Sequence, residues 1–232
     1  MTDKHAVIQP DKGQKATSIH LVSKSGLDQF VKALAPAQRA ALAAQKFEGG
    51  AFEQAILPDG DHFTVAAGVT DPAALSTWCL GKLAETLPAG TYRLEGDAAA
   101  GKALVGWATG QYRFDRYRSD AEAPGARVLL TKEARAIAPA LAEAEATALV
   151  RDMVNTPAED MGPAQVEAEA ETIAKAHKAD FRVTQGDTLE REFPMIHMVG
   201  RAAARSHAPR LVELEWGDPK HPRVALVGKG VC

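Results

Sequence analysis

Only two cysteines, Cys79 and Cys232, occur in the 232-residue chain. They are too few and too far apart for a disulfide framework or a thiolate zinc site. A reducing, cytoplasmic setting is therefore the default expectation. No apolar run approaches the length of a membrane-spanning helix. The first residues, Met1-Thr2-Asp3-Lys4-His5, have no apolar core behind them that would make a signal peptide. No surplus of positive charge exists either. The formal net charge is -3, which gives no electrostatic reason to expect nucleic acid or anionic lipid as the main partner. Internal repeats are absent. None of the seven histidines falls in H-E-x-x-H or H-x-x-E-H spacing, which removes the helical zinc motifs, and no G-x-S-x-G elbow is present.

A hydrophobic content of 46% with 25% charged residues belongs to a soluble globular protein. The length allows one large or two ordinary domains. Met1 to Thr17 is polar and reads as a loose lead-in. Ile19 to Val22 can start a strand, and Gly26 to Gln45 holds two short helical stretches with Pro36 opening the second. Phe63 to Val69 reads as a strand. A helix then follows, capped by Asp71, with Pro72 first and Leu75, Cys79, Leu80, Leu83 and Leu87 on its apolar stripe. Tyr92 to Leu94 is a short strand and Ala98 to Trp107 a helix. Such alternation implies an α/β fold.

Beyond a polar loop at Ser119 to Arg127 comes a short apolar piece, Val128 to Leu130. An alanine-rich helix follows, expected to start near Pro139 and run to Met153. Asn155-Thr156-Pro157 ends it, because proline cannot continue a helix. Pro163 opens a further helix, Phe181 to Thr184 is a strand, and Thr188 to Ala203 is mostly helical with an interruption at Pro194. Arg210 to Trp216 alternates, with Val212, Leu214 and Trp216 on one side and Glu213 and Glu215 on the other. This describes a half-solvated strand near a sheet edge. Val224-Ala225-Leu226-Val227 does not alternate, so a central strand buried on both faces is expected there. The domain organisation expected is an N-terminal α/β domain at 1–130 with a mixed sheet flanked by helices, a connector helix at 131–155, and the start of a second α/β domain at 156–232.

Three stretches carry candidate chemistry. Gly96-Asp97-Ala98-Ala99-Ala100-Gly101-Lys102 fits the phosphate-cradling pattern G-x-x-x-x-G-K, but Ala103 stands where the Mg²⁺-binding hydroxyl belongs. Arg113-Phe114-Asp115-Arg116-Tyr117-Arg118 mixes cations and aromatics, as single-strand binders do. It also suits a surface segment with packed rings and solvated arginines. Lys229 stands between Gly228 and Gly230 at the carboxyl end of the expected inner strand, where ligands gather in open α/β sheets. Residue type alone leaves it open whether this is chemistry or a solvated turn lysine. Cys232 adjoins it without an identifiable base, and Cys79 faces a helix core.

Three blocks, in order, resemble the leucyl (cytosol) aminopeptidases, the two-metal M17-type peptidases. They are Gly110-Gln111-Tyr112-Arg113-Phe114-Asp115-Arg116-Tyr117; Leu149-Val150-Arg151-Asp152 with Asn155, Pro157, Ala158 and Pro163; and Val227-Gly228-Lys229-Gly230-Val231. The resemblance implies that residues 156–232 begin a metallopeptidase catalytic domain. It further implies that Lys229 is a metal ligand and that two divalent ions, Mn²⁺ or Zn²⁺, serve the complete protein. Peptide substrates, release of N-terminal amino acids and a homohexamer are also implied. A lysine coordinates only as the neutral amine, which a nearby dication and burial can favour, and two such ions activate a bridging water. The family's aspartate and glutamate ligands would fall beyond Cys232, so residues 1–232 alone are expected to be inactive and metal-free. The alternative is a nucleic-acid-binding or regulatory role for the N-terminal domain centred on Arg113, Arg116 and Arg118. A phosphate-binding domain and a catalytically dead scaffold are further rivals.

Overall fold

In a computed structural model, residues 7–96, 98–119 and 124–231 are described. The chain forms two units, Met1–Val150 and Arg151–Cys232. The first unit is built on six strands: β1 (Ile8–Pro10), β2 (Thr17–Val22), β3 (Gln54–Asp59), β4 (His62–Gly68), β5 (Gly90–Leu94) and β6 (Arg127–Thr131). Their order across the sheet is β1-β6-β5-β2-β4-β3. All neighbouring pairs are parallel except β3 with β4, an antiparallel hairpin turning at Gly60-Asp61. The expected mixed, helix-flanked α/β sheet is therefore present.

Parallel strands need cover on both faces, and side chains alternate between those faces along a strand. In β4, Val65 and Ala67 enter one core while Ala66, between them, enters the other. β2 divides likewise, with Ile19 in the first core and Val22 in the second. The second core is closed by α1 (Leu27–Ala33) and α2 (Pro36–Ala44), through Phe30, Val31, Leu34 and Leu42. The first and larger core is closed by α3 (Gly81–Thr86), α4 (Ala103–Thr109) and the early part of α5 (Ala134–Asn155).

Helices α3 and α4 approach so closely that glycine is required. A Cβ on Gly106 would run into the carbonyl of Thr77, and one on Gly110 into that of Gly81. That contact brings Trp107, fully buried, beside Tyr92 with ring centroids 5.8 Å apart. The Trp107 indole donates to the Arg127 carbonyl at 3.0 Å. Gln111 then treats Arg127 as a strand would: its amide donates to the Arg127 carbonyl (2.9 Å), and its carbonyl accepts from the Arg127 N–H (2.9 Å). The start of β6 is thus paired by a side chain.

Several expectations change. The lead-in is not loose throughout, because β1 pairs with β6 and Asp11 takes two bonds from the Arg93 guanidinium, at 2.6 and 2.9 Å. β3 went unread. The helix expected from Pro72 begins only at Gly81. Asp71 instead closes a local turn by accepting from the Ala73 N–H at 2.8 Å, and successive three-residue turns carry the chain past Trp78 to satisfy the contact with Gly106. The helix expected over Ala98 to Trp107 likewise starts later, at Ala103. The long helix α5 starts at Ala134, five residues before Pro139. Pro139 has no amide hydrogen to give the Arg135 carbonyl, so the helix forgoes one bond in its second turn.

The second unit contains the end of α5, then α6 (Pro163–His177), β7 (Asp180–Gln185), α7 (Gly186–Glu192), α8 (Pro194–Gly200) and β8 (Arg210–Glu215). The break at Pro194 is where expected. β7 and β8 form an antiparallel two-stranded sheet. Arg210 pairs with Glu167 of α6 in a half-buried ion pair, which ties the start of β8 to that helix. Val224 to Val227 does not form the expected buried strand. Residues 222–231 run without secondary structure, and Val224, Leu226 and Val227 are 82%, 94% and 95% exposed. An apolar run needs a strand on each side and cover on each face to become central, and among the described residues none of these reaches it.

Three outcomes follow from this packing. Gly106→Ala forces its methyl against backbone that has no flexible end to yield, and should lower stability by about 2–3 kcal/mol in urea unfolding. Gln111→Ala strands the Arg127 N–H, while the Arg127 carbonyl keeps its bond from Trp107, and should cost about 1–3 kcal/mol by the same measurement. The third concerns His20, whose ring is 5.6 Å from that of Phe30. Burial pulls its imidazole below the usual range near 6.5, and the Glu95 carboxylate offsets part of that pull. Between that ordinary value and the lower folded one, the unfolded chain binds more protons, so stability should fall as pH drops below about 6.5. The urea midpoint, compared at pH 7.5 and pH 5.5, should show this loss in the parent and a smaller loss in His20→Gln.

Candidate functional site

Each candidate stretch has a definite place. Gly96 to Lys102 does lie between the end of β5 and the start of α4, the strand–loop–helix context that the phosphate pattern needs. Asp97 is outside the described residues. The Gly101 N–H, which would face a phosphate, already donates to the Glu133 carboxylate at 2.9 Å. A phosphate at that amide would have to displace an internal anion. Together with Ala103 in place of the hydroxyl, this removes support for nucleotide binding.

Arg113 to Arg118 follows α4 as an exposed loop closed by an Arg118 N–H to Asp115 carbonyl bond of 2.9 Å. Phe114 and Tyr117 pack ring against ring at 5.9 Å, and the Arg116 guanidinium lies 5.7 Å from the Tyr117 centroid. Stacking of cation on ring is worth about 0.5–1 kcal/mol at an exposed site. The rings and one cation therefore serve each other, as the packed-surface reading expects, and the loop gives no support to the nucleic-acid alternative. The preceding residue of note, Gln111, has the structural task described above. Conformation in the expected polar loop is described only outside residues 120–123.

Cys79 is buried and free. Its thiol donates to the Ser76 carbonyl at 3.1 Å, and burial raises its pKa above the usual thiol value. Such a thiol is a poor nucleophile. Cys232 lies outside the described residues.

The second sequence block ends α5 through Thr156, which is buried. Both its N–H (3.0 Å) and its hydroxyl (2.7 Å) donate to the Asp152 carbonyl. Pro157 follows, and α6 opens with Pro163 in its first turn after a Gly162 N–H bond to the Gln165 side chain. These are helix-stop and helix-start devices, and no role in chemistry is needed to explain them. Two of the three blocks thus owe at least part of their residues to architecture.

Lys229 lies in the exposed stretch at 222–231, on unpaired backbone between two glycines. The sequence reading brings it to the tip of an inner strand, and the structure does not. Among the described residues no group of three or more His, Cys, Asp or Glu side chains could hold a metal ion. A single lysine does not make a two-metal centre, so the described residues do not fit such a centre on their own. One recess does bring charged groups together. It has a volume of about 220 Å³ and lies at the carboxyl ends of β1, β5 and β6, with Asp11, Arg93, Lys132 and Glu133 around it. Sequence reasoning missed it because these residues are up to 122 positions apart and no motif links them.

Comparison with known proteins gives these placements a context. Residues 17–131 match the model of the M17 aminopeptidase N-terminal domain, and residues 148–232 that of the cytosol aminopeptidase family catalytic domain. A probable cytosol aminopeptidase of Rhodococcus erythropolis is 37% identical over 147 residues, which cover 56% of this chain and 29% of that protein. The crystal structure of cytosol aminopeptidase from Coxiella burnetii superposes with a TM-score of 0.78 at 28% identity, over 93% of this chain and 47% of that one. A bottromycin maturation enzyme, BotP, in complex with Mn, superposes with a TM-score of 0.67 over 92% of this chain and 46% of its own. At 23% identity that last likeness speaks for the fold alone. The chain spans about half the length of these solved relatives. Two family models in the family's own order, covering nearly the whole chain between them, mean that this chain belongs to the M17, or cytosol, aminopeptidase family.

Proposed function

We propose that the complete protein is a metal-dependent aminopeptidase that releases N-terminal amino acids from peptides. The consecutive match of residues 17–131 to the family's N-terminal domain model and of residues 148–232 to its catalytic domain model supports this reading. On it, 1–130 is the N-terminal α/β domain, 131–155 the connector helix, and 156–232 the opening of the catalytic domain. Divalent metal, Mn²⁺ or Zn²⁺, would polarise the scissile carbonyl and activate water. Lys229 is proposed as one ligand, with carboxylates supplied by sequence beyond these residues. A homohexamer and a cytoplasmic location accompany the proposal. Among the described residues no helix is long and apolar enough to cross a membrane.

Lys229 bears on this reading through its surroundings. A lysine ligates a metal only through the lone pair of its neutral amine. To ligate, it needs the apolar run at 224–227 drawn into a sheet, so that the amine sits on rigid, partly dry backbone. Strand formation at 224–227 and metal binding are therefore coupled in this proposal. Residues 1–232 alone, with this stretch exposed, should neither bind metal tightly nor cleave peptides.

The test uses the full-length protein. Lys229→Met should lower bound metal per chain, measured by plasma emission spectrometry, and lower cleavage of an aminoacyl p-nitroanilide by more than about tenfold. Unchanged metal content and activity in that variant would remove Lys229 from the site. Failure of the parent protein to cleave any aminoacyl substrate would remove the function.

A further inference from the structure

β3 is an edge strand of the six-stranded sheet. An edge presents backbone N–H and C=O groups that can template another strand. In an antiparallel pair, residues that exchange bonds with the neighbour alternate with residues whose polar groups point away from it. The two-residue turn at Gly60-Asp61 makes Asp59 and His62 a bonded pair, so Leu57 and Ala55 also bond inward. The bond from the Gly68 N–H to the Glu53 carbonyl, 2.8 Å, keeps the same alternation. Gln54, Ile56 and Pro58 therefore turn their backbone groups outward. Pro58 has no N–H to offer. Ile56 has both groups, and its side chain is 39% exposed.

Gln45 closes that opening. Its amide oxygen accepts from the Ile56 N–H at 3.0 Å, and its Nε2 donates to the Ile56 carbonyl at 2.8 Å. A neighbouring strand would make the same pair of bonds. Nε2 also donates to the Ala41 carbonyl at 3.0 Å, so both amide protons are used and the group has one orientation. Gln45 reaches the edge because it caps the end of α2, and Lys46, with φ of +53°, turns the chain directly after it. Without this cap the edge would be self-complementary. Two copies related by a two-fold axis at Ile56 would exchange two Ile56 N–H to C=O bonds, and each Gln54 N–H would face a Pro58 carbonyl of the second copy. The two exposed Ile56 side chains would then lie side by side.

We propose that Gln45 guards the β3 edge: its side chain takes the place of a neighbouring strand and prevents edge-to-edge pairing with a second copy of this chain. Fastening α2 to β3 does not require the arrangement, because Leu42 of α2 already shares a buried core with Ala55 and Leu57. The two bonds answer instead what the edge exposes at Ile56. Pro58 and the charged, exposed Asp59 blunt the rest of the strand. The inference concerns the first unit alone and does not depend on the aminopeptidase reading.

The experiment is sedimentation equilibrium of the 232-residue chain and its variants, each compared with the parent at the same concentration, with the urea midpoint followed in parallel. Gln45→Met keeps the length and apolar stem of the side chain and removes both bonds to Ile56. Pairing with Kd near about 1 mM should raise its weight-average mass about 1.4-fold over the parent's at about 0.5 mM chain, and by less than about 1.1-fold after tenfold dilution. Adding Ile56→Lys to that variant sets like charges side by side across the pair and should return the mass to the parent's. A Gln45→Met mass equal to the parent's at both concentrations overturns the proposal, and so does association that Ile56→Lys leaves in place. Gln45→Ala repeats the test with the side chain removed. Loss of folding in both Gln45 variants would make the residue one of stability alone and overturn the proposal as well. Peptide cleavage is not part of the readout, so failure of the aminopeptidase reading would leave this result intact, and the converse holds too.

Discussion

Val65, Ala66 and Ala67 of β4 are buried to within 1% of completely, on alternating sides of the sheet. That two-sided burial is the constraint around which the first unit is built. It requires helices on both faces, and the chain supplies α1 and α2 for one face and α3, α4 and α5 for the other. Side-chain geometry then has to fit the layers. Glycines at 106 and 110 let α4 press on the segment before α3 and on the start of α3. Trp107 is held in that gap, and Gln111 finishes the pairing of β6 where the sheet itself does not.

The second unit has the same kind of sequence and a different outcome. Val224-Ala225-Leu226-Val227 is as apolar as β4, yet its valines and leucine face solvent. Met195 and Trp216 are also largely exposed, at 79% and 74%. A two-stranded sheet is marginal by itself, and β7–β8 is the sheet this unit contains. Exposed apolar surface of this extent marks a place for contact. For a chain spanning about half the length of its solved relatives, the proposed occupant is the rest of the catalytic domain, and the proposed gain is the site at Lys229.

Electrostatics in the first unit follow local supply and demand. Arg93 holds Asp11 well below the usual carboxylate range, the hydrogen bonds to the ionised form being the main cause. Stability from this pair is present above the ordinary aspartate value and is lost as pH falls toward the lower folded one. His20 works in a separate, less acidic window, because burial rather than pairing sets its shift.

Local chemistry was legible from the sequence wherever a short stretch carries its own instruction. Pro36 and Pro163 open helices, Pro194 divides α7 from α8, and Phe63 to Val69 and Phe181 to Thr184 read as strands from composition. Family membership was legible as well, from three blocks in order. What could not be read depended on partners distant in the chain. The three-residue strand β1 exists because β6 lies beside it, the turn before α3 because Gly106 presses on it, and the recess because Asp11, Arg93 and Glu133 meet only after folding. Period and residue type at 224–227 specify a strand that wants burial. Whether it is buried is decided by neighbours, since a strand's free energy lies in the hydrogen bonds and cover that other segments provide.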